Sequence, residues 1–171
     1  MDFLELARKR FSVRKFSDKP LEKEKLDLIL EAGRLAPTAK NFQPQRIYVL
    51  QSDEALKKMN ALSPCVYGAK TVLVFTYNEQ EEWKNAQEAE VHSGVEDVSI
   101  VATHMMLAAA SLGVDTIWCN RFANTQLEVM FNLPEEERAV LFMPIGYRAE
   151  GVEPGPLHTA SKKLDEIVRY L

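Results

Sequence analysis

The sequence predicts a fold of helices and strands without the regular alternation of a doubly wound α/β protein. Helical and strand-like segments follow one another at unequal spacing, and the longest helical segment is apolar on most of its circumference. The seven glycines form neither a G-x-G-x-x-G run nor a P-loop, which are the two common backbone cradles for phosphate. A phosphate site in this chain must therefore be built from side chains.

The N-terminal half contains three predicted helices and two predicted strands. Residues 21–36 have the apolar period of an amphipathic helix, and Pro20 and Pro37 lie at its ends, where a helix tolerates proline. Residues 71–77 form a nearly continuous apolar run, which predicts a strand buried on both faces. Shorter patterns predict a helix over residues 2–9, a strand over 46–51 and a helix over 54–62.

The C-terminal half contains the longest predicted helix, over residues 91–112. A helix that is apolar on all sides needs cover on all sides, so we expect it in the core or at a dimer interface. Pro144 interrupts the apolar segment 139–148, which predicts an edge strand or a bulge. The charged segment 78–89 is expected to be a surface excursion or a short helix. The remaining predictions are a strand over 114–119, a helix over 125–131 and a short helix or strand over 164–171.

Composition and charge exclude several classes of function. With 171 residues, the chain is expected to form one domain over residues 1–171 that needs no metal or disulfide to fold. A formal net charge of −4 without a basic stripe argues against nucleic acid as a partner. The sequence shows no signal peptide and no stretch long enough for a membrane span, so a cytoplasmic location is expected.

The cysteines and histidines give no sign of a metal site or of a nucleophile paired with a base. Cys65 and Cys119 lie far apart without a C-x-x-C pattern, and we expect a reduced pair. The histidines lack metal-ligand spacing: His92, His104 and His158. There is also no G-x-S-x-G motif, so the sequence offers no nucleophile paired with a base.

An alternating segment near the N-terminus carries the strongest chemical signal. If it is extended, Arg10, Ser12 and Arg14 project from one face, while Phe11 and Val13 point into the core. Two guanidinium groups and a hydroxyl are the donors that a phosphate monoester needs. The pattern alone leaves one alternative, a surface strand with ordinary charges.

This segment and a second motif together resemble the FMN-dependent nitroreductase family, as a short, single-domain member. The first motif, R-x-S-x-R-x-F, is completed by Phe16. The second motif, P-[ST]-x-x-N-x-Q-P, is formed by Pro37, Thr38, Asn41, Gln43 and Pro44. The resemblance implies an α+β three-layer sandwich, with a mixed, mostly antiparallel sheet flanked by helices. It also implies a homodimer with a long central helix at the interface.

The resemblance further implies which residues bind FMN, and it assigns no catalytic residue. Arg10, Ser12 and Arg14 would contact the phosphate, joined by Lys162 or Lys163 from the C-terminal tail. A loop of the other subunit would lie along the flavin, so that the active sites are shared; its residues are Pro37, Thr38, Ala39, Asn41 and Gln43.

A segment after the third strand would lie beside the flavin ring and donate a backbone N–H to the flavin N5. Its residues are Trp118, Cys119 and Asn120, followed by Arg121. Core packing is the alternative role for Trp118. For the pyrimidine edge of the ring, the segment 62–70 offers no clear counterpart to the family pattern, and Tyr67, Gly68 and Lys70 are candidates.

The function that the resemblance implies is an FMN-dependent NAD(P)H oxidoreductase with a two-step exchange. NADH or NADPH would reduce the flavin and leave, and a nitroaromatic, a quinone or a second flavin would then enter the same slot. Lys40 and Arg121 would set selectivity at the rim. The alternatives are a flavin-binding or sensing protein with little turnover, a specialised reaction such as reductive dehalogenation or flavin fragmentation with residues 78–90 as a lid, and an α+β domain without flavin.

Overall fold

The computed structural model describes residues 2–88 and 90–171, and it is an α+β sandwich. Its four-stranded antiparallel sheet has the order β1-β2-β4-β3 and consists of β1 Gln45–Leu50, β2 Thr71–Asn78, β3 Asp115–Thr116 and β4 Glu137–Gly146. The helices in the described residues are α1 Phe3–Lys9, α2 Lys23–Arg34, α3 Asp53–Leu62, α4 Gly94–Ser111, α5 Asn124–Met130 and α6 Leu164–Ile167. An isolated parallel bridge between Ser12 and Thr116 adds a parallel pairing at the β3 edge of this sheet. The predicted α+β sandwich with a mostly antiparallel sheet is confirmed.

The sheet separates two hydrophobic cores, which form the three layers of the sandwich. Helices α2 and α4 pack on one face, over side chains that include Leu73, Phe75 and Met143. Helices α3 and α5 pack on the other face, together with the segment around Phe11 and Val13. Since β2 contributes to both cores, its seven residues from Thr71 to Tyr77 are all buried, as predicted.

Helix α4 is the longest helix, as predicted, but it begins at Gly94 rather than at residue 91. The boundary follows from Glu82, whose buried carboxylate accepts the backbone N–H of Gly94 at 2.8 Å. The first N–H groups of a helix have no helical acceptor, so a carboxylate there favours the start of the helix. Within the chain, α4 is covered on one side only, and Val95 and Ile100 remain 49% and 38% exposed.

Pro144 does not have the effect that the sequence pattern predicts. The prediction of an edge strand was wrong, because β4 lies inside the sheet, and its register shift lies several residues before the proline. The Pro144 carbonyl accepts the backbone N–H of Ile117 at 3.2 Å, but proline has no N–H to donate in return. The strand predicted over 114–119 is therefore regular only over Asp115–Thr116, and its pairing resumes at Cys119.

The other predicted helices and strands are confirmed with small shifts at their ends, except that the segment 164–171 is helical only over Leu164–Ile167. The apolar side of α1 is exposed in this chain, with Phe3 and Leu4 at 64% and 59%. The segment 78–89 forms turns rather than a helix over its residues 79–88, and Ala89 lies outside the described residues. No helix in the described part of the chain combines the length and the apolar character needed to cross a membrane.

Candidate functional site

The alternating segment 10–14 lies along the outer edge of β3. The backbone N–H of Val13 donates to the Thr116 carbonyl at 3.2 Å, beside the parallel bridge between Ser12 and Thr116. Phe11 and Val13 are buried at 7% and 0% exposure, whereas Arg14 is exposed. Since strand pairing directs successive side chains to opposite faces, the predicted alternation is confirmed.

Arg10, Ser12 and Arg14 line one cavity of about 400 Å³, whose other wall is formed by residues 155–158. No carboxylate is among the described residues that line it, so neither guanidinium is neutralised there. Arg14 makes a long hydrogen bond of 3.4 Å to the Ser12 carbonyl. Burial lowers the pKa of Arg10, but arginine starts so high that the group stays charged. Such a donor set fits a phosphate group.

His158 also lines this cavity, and the sequence pattern did not connect it with the site. Its ring meets Phe11 edge to face, with 5.9 Å between the ring centres. The contact depends on the path of the C-terminal segment, and no pattern in the sequence predicts that path. Lys162 and Lys163 are not among the described lining residues; both are exposed, and the Lys163 backbone N–H donates to the Glu166 carboxylate at 2.8 Å, next to α6.

Residues 118–121 continue the edge of the sheet beyond the segment 10–14. The Trp118 indole N–H donates to the Asn120 side-chain oxygen at 2.5 Å, and the Asn120 amide nitrogen donates to the Val140 carbonyl at 2.9 Å. The Asn120 side chain is thus occupied and fixes the path of the chain. In the part of the chain that the structure describes, the backbone N–H groups of Asn120 and Arg121 donate no hydrogen bond.

Cys119 lies beneath this edge segment rather than at its surface. It is 5% exposed, and its thiol donates weakly to the Cys65 carbonyl at 3.6 Å. Burial, and to a smaller extent the neighbouring Cys65, raises the pKa of Cys119 to about 12. The thiol is therefore protonated at neutral pH and packs as a small apolar group.

The loop 37–43 has a defined shape within the single chain. Lys40, Asn41 and Gln43 adopt left-handed backbone angles, with φ of 50°, 57° and 54°. Thr38 holds the turn, because its hydroxyl accepts the Gln43 N–H at 3.0 Å and its carbonyl accepts the Asn41 N–H at 2.9 Å. The described lining of the cavity beside Arg10 contains no residue of this loop, so one chain does not bring the two predicted motifs together.

The candidates for the pyrimidine edge are held in other interactions. Lys70 forms an ion pair with Asp18 at 2.9 Å. The Tyr67 hydroxyl donates to the Cys65 sulfur at 3.4 Å, and this hydrogen bond, with burial, raises the pKa of Tyr67. Tyr67 and Gly68 both have positive φ, at 54° and 80°, which makes a tight turn of this segment.

The described part of segment 78–90, considered as a lid, is anchored to the rest of the chain. Three of its carboxylates are engaged: Glu79 with Arg138 at 2.7 Å, Glu81 with Arg46 at 2.7 Å and Glu82 with the Gly94 N–H at 2.8 Å. Glu82 is only 8% exposed, so its hydrogen bond to Gly94 is shielded from solvent.

Comparison with known proteins places the chain in a family whose members carry oxidoreductase names. The family model described as "Nitroreductase family" matches residues 7–63 and 59–147. The chain belongs to the nitroreductase family, and the resemblance based on the two motifs is confirmed.

Individual relatives agree with this assignment. A nitroreductase family protein of Clostridium difficile 630 superposes with a TM-score of 0.93 and 33% identity, over 99% of this chain and 98% of that chain. A protein of Methanothermobacter thermautotrophicus, whose name combines NADH dehydrogenase and NAD(P)H nitroreductase, is 29% identical over 88% of this chain and 79% of its own length. An FMN-dependent nitroreductase of Clostridium difficile R20291 matches 98% of both chains at 25% identity and a TM-score of 0.79.

Proposed function

We propose that the protein is an FMN-dependent NAD(P)H oxidoreductase that passes electrons to a small planar acceptor, such as a nitroaromatic, a quinone or a flavin. The observation that carries the proposal is the cavity lined by Arg10, Ser12 and Arg14, which offers two guanidinium groups and a hydroxyl without a carboxylate among its described lining residues. Family membership supports an oxidoreductase. The names of two relatives support FMN as the cofactor and NADH or NADPH as the donor.

Arg10 and Arg14 would bind the FMN phosphate, and the Ser12 hydroxyl would add a further donor. A volume of about 400 Å³ accommodates the phosphate and part of the ribityl chain. Lys162 and Lys163 lie on a tail whose residues 159–171 are all exposed. One of them would join the phosphate when the tail closes over it.

Residues 118–121 would lie beside the flavin ring. The backbone N–H groups of Asn120 and Arg121, which donate to no acceptor in the described chain, are available for a ring atom. The chemistry that FMN would supply there is acceptance of a hydride equivalent from NADH or NADPH, followed by transfer of the electrons to a second molecule. The exposed side chains of Arg121 and Lys40 would then select acceptors by charge at the rim.

The proposal includes a homodimer with shared active sites. Large apolar side chains are exposed in several regions of the single chain, among them Val95 and Ile100 on α4, Phe3 and Leu4 on α1, and Leu157, Leu164 and Ile167 near the C-terminus. Exposed apolar surface of this extent favours an interface. The loop residues Pro37, Thr38, Ala39, Asn41 and Gln43 would complete the site of the neighbouring subunit. That subunit's own Trp118 and Asn120 would lie beside the ring, and its Cys119, whose thiol is buried, would contribute only backbone groups.

The visible absorbance spectrum of the purified protein with added FMN tests the function. We expect a bound flavin spectrum that bleaches on anaerobic addition of NADH or NADPH and recovers with a nitroaromatic or a quinone. A bound flavin that stays oxidised with both donors would favour a low-turnover binding protein or a specialised reaction. A protein that binds no FMN would contradict the proposal.

Mixing two inactive variants tests the shared site. One variant carries Arg10→Ala with Arg14→Ala, and the other carries Asn41→Ala with Gln43→Ala. Random pairing makes half of the dimers mixed, and each mixed dimer has one intact site, so activity should recover to about a quarter of the wild-type value. No recovery in verified mixed dimers would show that each chain builds its own site.

A further inference from the structure

The buried carboxylate of Asp97 connects helix α4 to the loop 37–43. Asp97 is 2% exposed, and one of its oxygens accepts the Ala39 backbone N–H at 2.8 Å. The other oxygen accepts the Ser93 hydroxyl at 2.7 Å. Because the residue lies in the first turn of α4, the positive end of the helix dipole favours its negative charge.

Ser93 fixes the direction of this carboxylate. The hydroxyl is buried and has a single proton, which it gives to Asp97, while it accepts the backbone N–H of Trp83 at 3.1 Å. The Ser93 backbone N–H in turn donates to the Trp83 carbonyl at 3.0 Å. A continuous set of hydrogen bonds thus runs from Trp83, in the segment 78–90, through Ser93 and Asp97 to Ala39.

The position of Ala39 explains why this contact matters for the loop. Ala39 follows Thr38, which holds the turn, and directly precedes Lys40, the first of three residues with left-handed backbone angles. Residues other than glycine occupy that region at an energetic cost, so surrounding contacts must maintain it. The Asp97 carboxylate supplies such a contact from a rigid helix, at the point where the unusual backbone begins.

We propose that Asp97 is a positioning residue that holds the loop 37–43 in the shape that receives FMN, acting through the Ala39 N–H. Asp97 itself does not contact the cofactor. The inference rests on the proposed function, because it assumes that the loop lies along the flavin, and it deepens that function by adding a residue absent from both motifs.

The test compares Asp97→Ala and Asp97→Asn with a matched control, Glu137→Ala. Glu137 is also a buried carboxylate, at 6% exposure, and accepts two hydroxyl groups, from Thr76 at 2.6 Å and Tyr48 at 2.9 Å. These partners lie on the face of the sheet opposite to α4, as the packing of the neighbouring β2 side chains shows. Two quantities are measured: hydrogen exchange of the Ala39 amide in flavin-free protein, and the dissociation constant of FMN.

In Asp97→Ala we expect exchange of the Ala39 amide to accelerate by about tenfold or more, since it loses a hydrogen bond to a charged group. FMN binding should weaken by a similar factor. Asp97→Asn keeps an acceptor for Ala39 and should restore part of both effects. Glu137→Ala should lower the unfolding temperature but leave Ala39 exchange and FMN affinity near their wild-type values.

Several results would overturn the inference. Unchanged Ala39 exchange in Asp97→Ala would show that the loop does not depend on this carboxylate. An equal loss of FMN affinity in Glu137→Ala would show a general effect of stability. If Asp97→Ala does not fold, Ser93→Ala provides the same comparison, with a smaller effect in the same direction expected and no effect contradicting the relay. A wild-type protein without FMN affinity would refute the proposed function, while exchange in the flavin-free variants would still decide whether Asp97 holds the loop.

Discussion

Replacement of Arg10 and Arg14 by alanine should weaken FMN binding, and only because the contacts to the FMN phosphate are lost. Both guanidinium groups line a cavity without a carboxylate among its described residues. Their removal therefore deprives no carboxylate in the cavity of an ion-pair partner. A hydrogen bond to a charged group contributes about 1.5–3 kcal/mol, which corresponds to roughly 10- to 100-fold in the dissociation constant for each arginine. Arg10 is half-buried and Arg14 is exposed, so the loss should be larger for Arg10. The double variant should lose about 100- to 10,000-fold if the two effects add.

Titrations with FMN and with riboflavin, followed by flavin fluorescence, separate the phosphate from the rest of the cofactor. Riboflavin lacks the phosphate, so the double variant should bind it as well as the wild type does. Arg8→Ala is the control for charge, because Arg8 lies exposed in the last turn of α1 and does not line the cavity. The reasoning is refuted if the double variant keeps the wild-type affinity for FMN, or if riboflavin binding falls as much as FMN binding.

Three further predictions concern Cys119, Tyr48 and Gly94. Burial raises the pKa of Cys119 to about 12, so this thiol should react with a disulfide reagent at neutral pH only after unfolding, as followed by absorbance. Burial and the Glu137 hydrogen bond raise the pKa of Tyr48 to about 12, so its stabilising contribution is complete below the ordinary value of about 10 and is lost as pH rises toward 12. Urea unfolding at rising pH should therefore show a smaller alkaline loss in Tyr48→Phe. Gly94→Ala would place a methyl group against the Tyr77 ring and should destabilise the protein by about 1–3 kcal/mol, measured by chemical denaturation.

Local patterns predicted the parts of the fold that local physics determines. The alternation of residues 10–14 was predictable because pairing with β3 enforces a two-residue period. The burial of β2 followed from its continuous apolar run. The start of α4 was not predictable from the helix itself, since the carboxylate that binds Gly94 belongs to Glu82, twelve residues earlier.

The candidate site shows the same division. Arg10, Ser12 and Arg14 belong to one short segment, so one pattern was enough to group them. His158 and Asp97 join the cavity and the loop from distant segments, and only the folded path of the chain places them there. The role of α4 as an interface helix stays a prediction, because the single chain shows its exposed side without showing what covers it.

Pro144 has its effect on a strand other than its own. It removes one donor from the centre of β4, and the carbonyl that loses its partner belongs to Ile117 on the neighbouring strand. Because Asp115–Thr116 and Cys119 pair normally on either side, a residue with an N–H at this position would close the gap and make residues 115–119 one regular strand. Proline thereby leaves one ladder hydrogen bond unmade at Ile117, directly before the candidate flavin segment. The irregularity that Pro144 causes therefore lies in the neighbouring strand rather than at the proline itself.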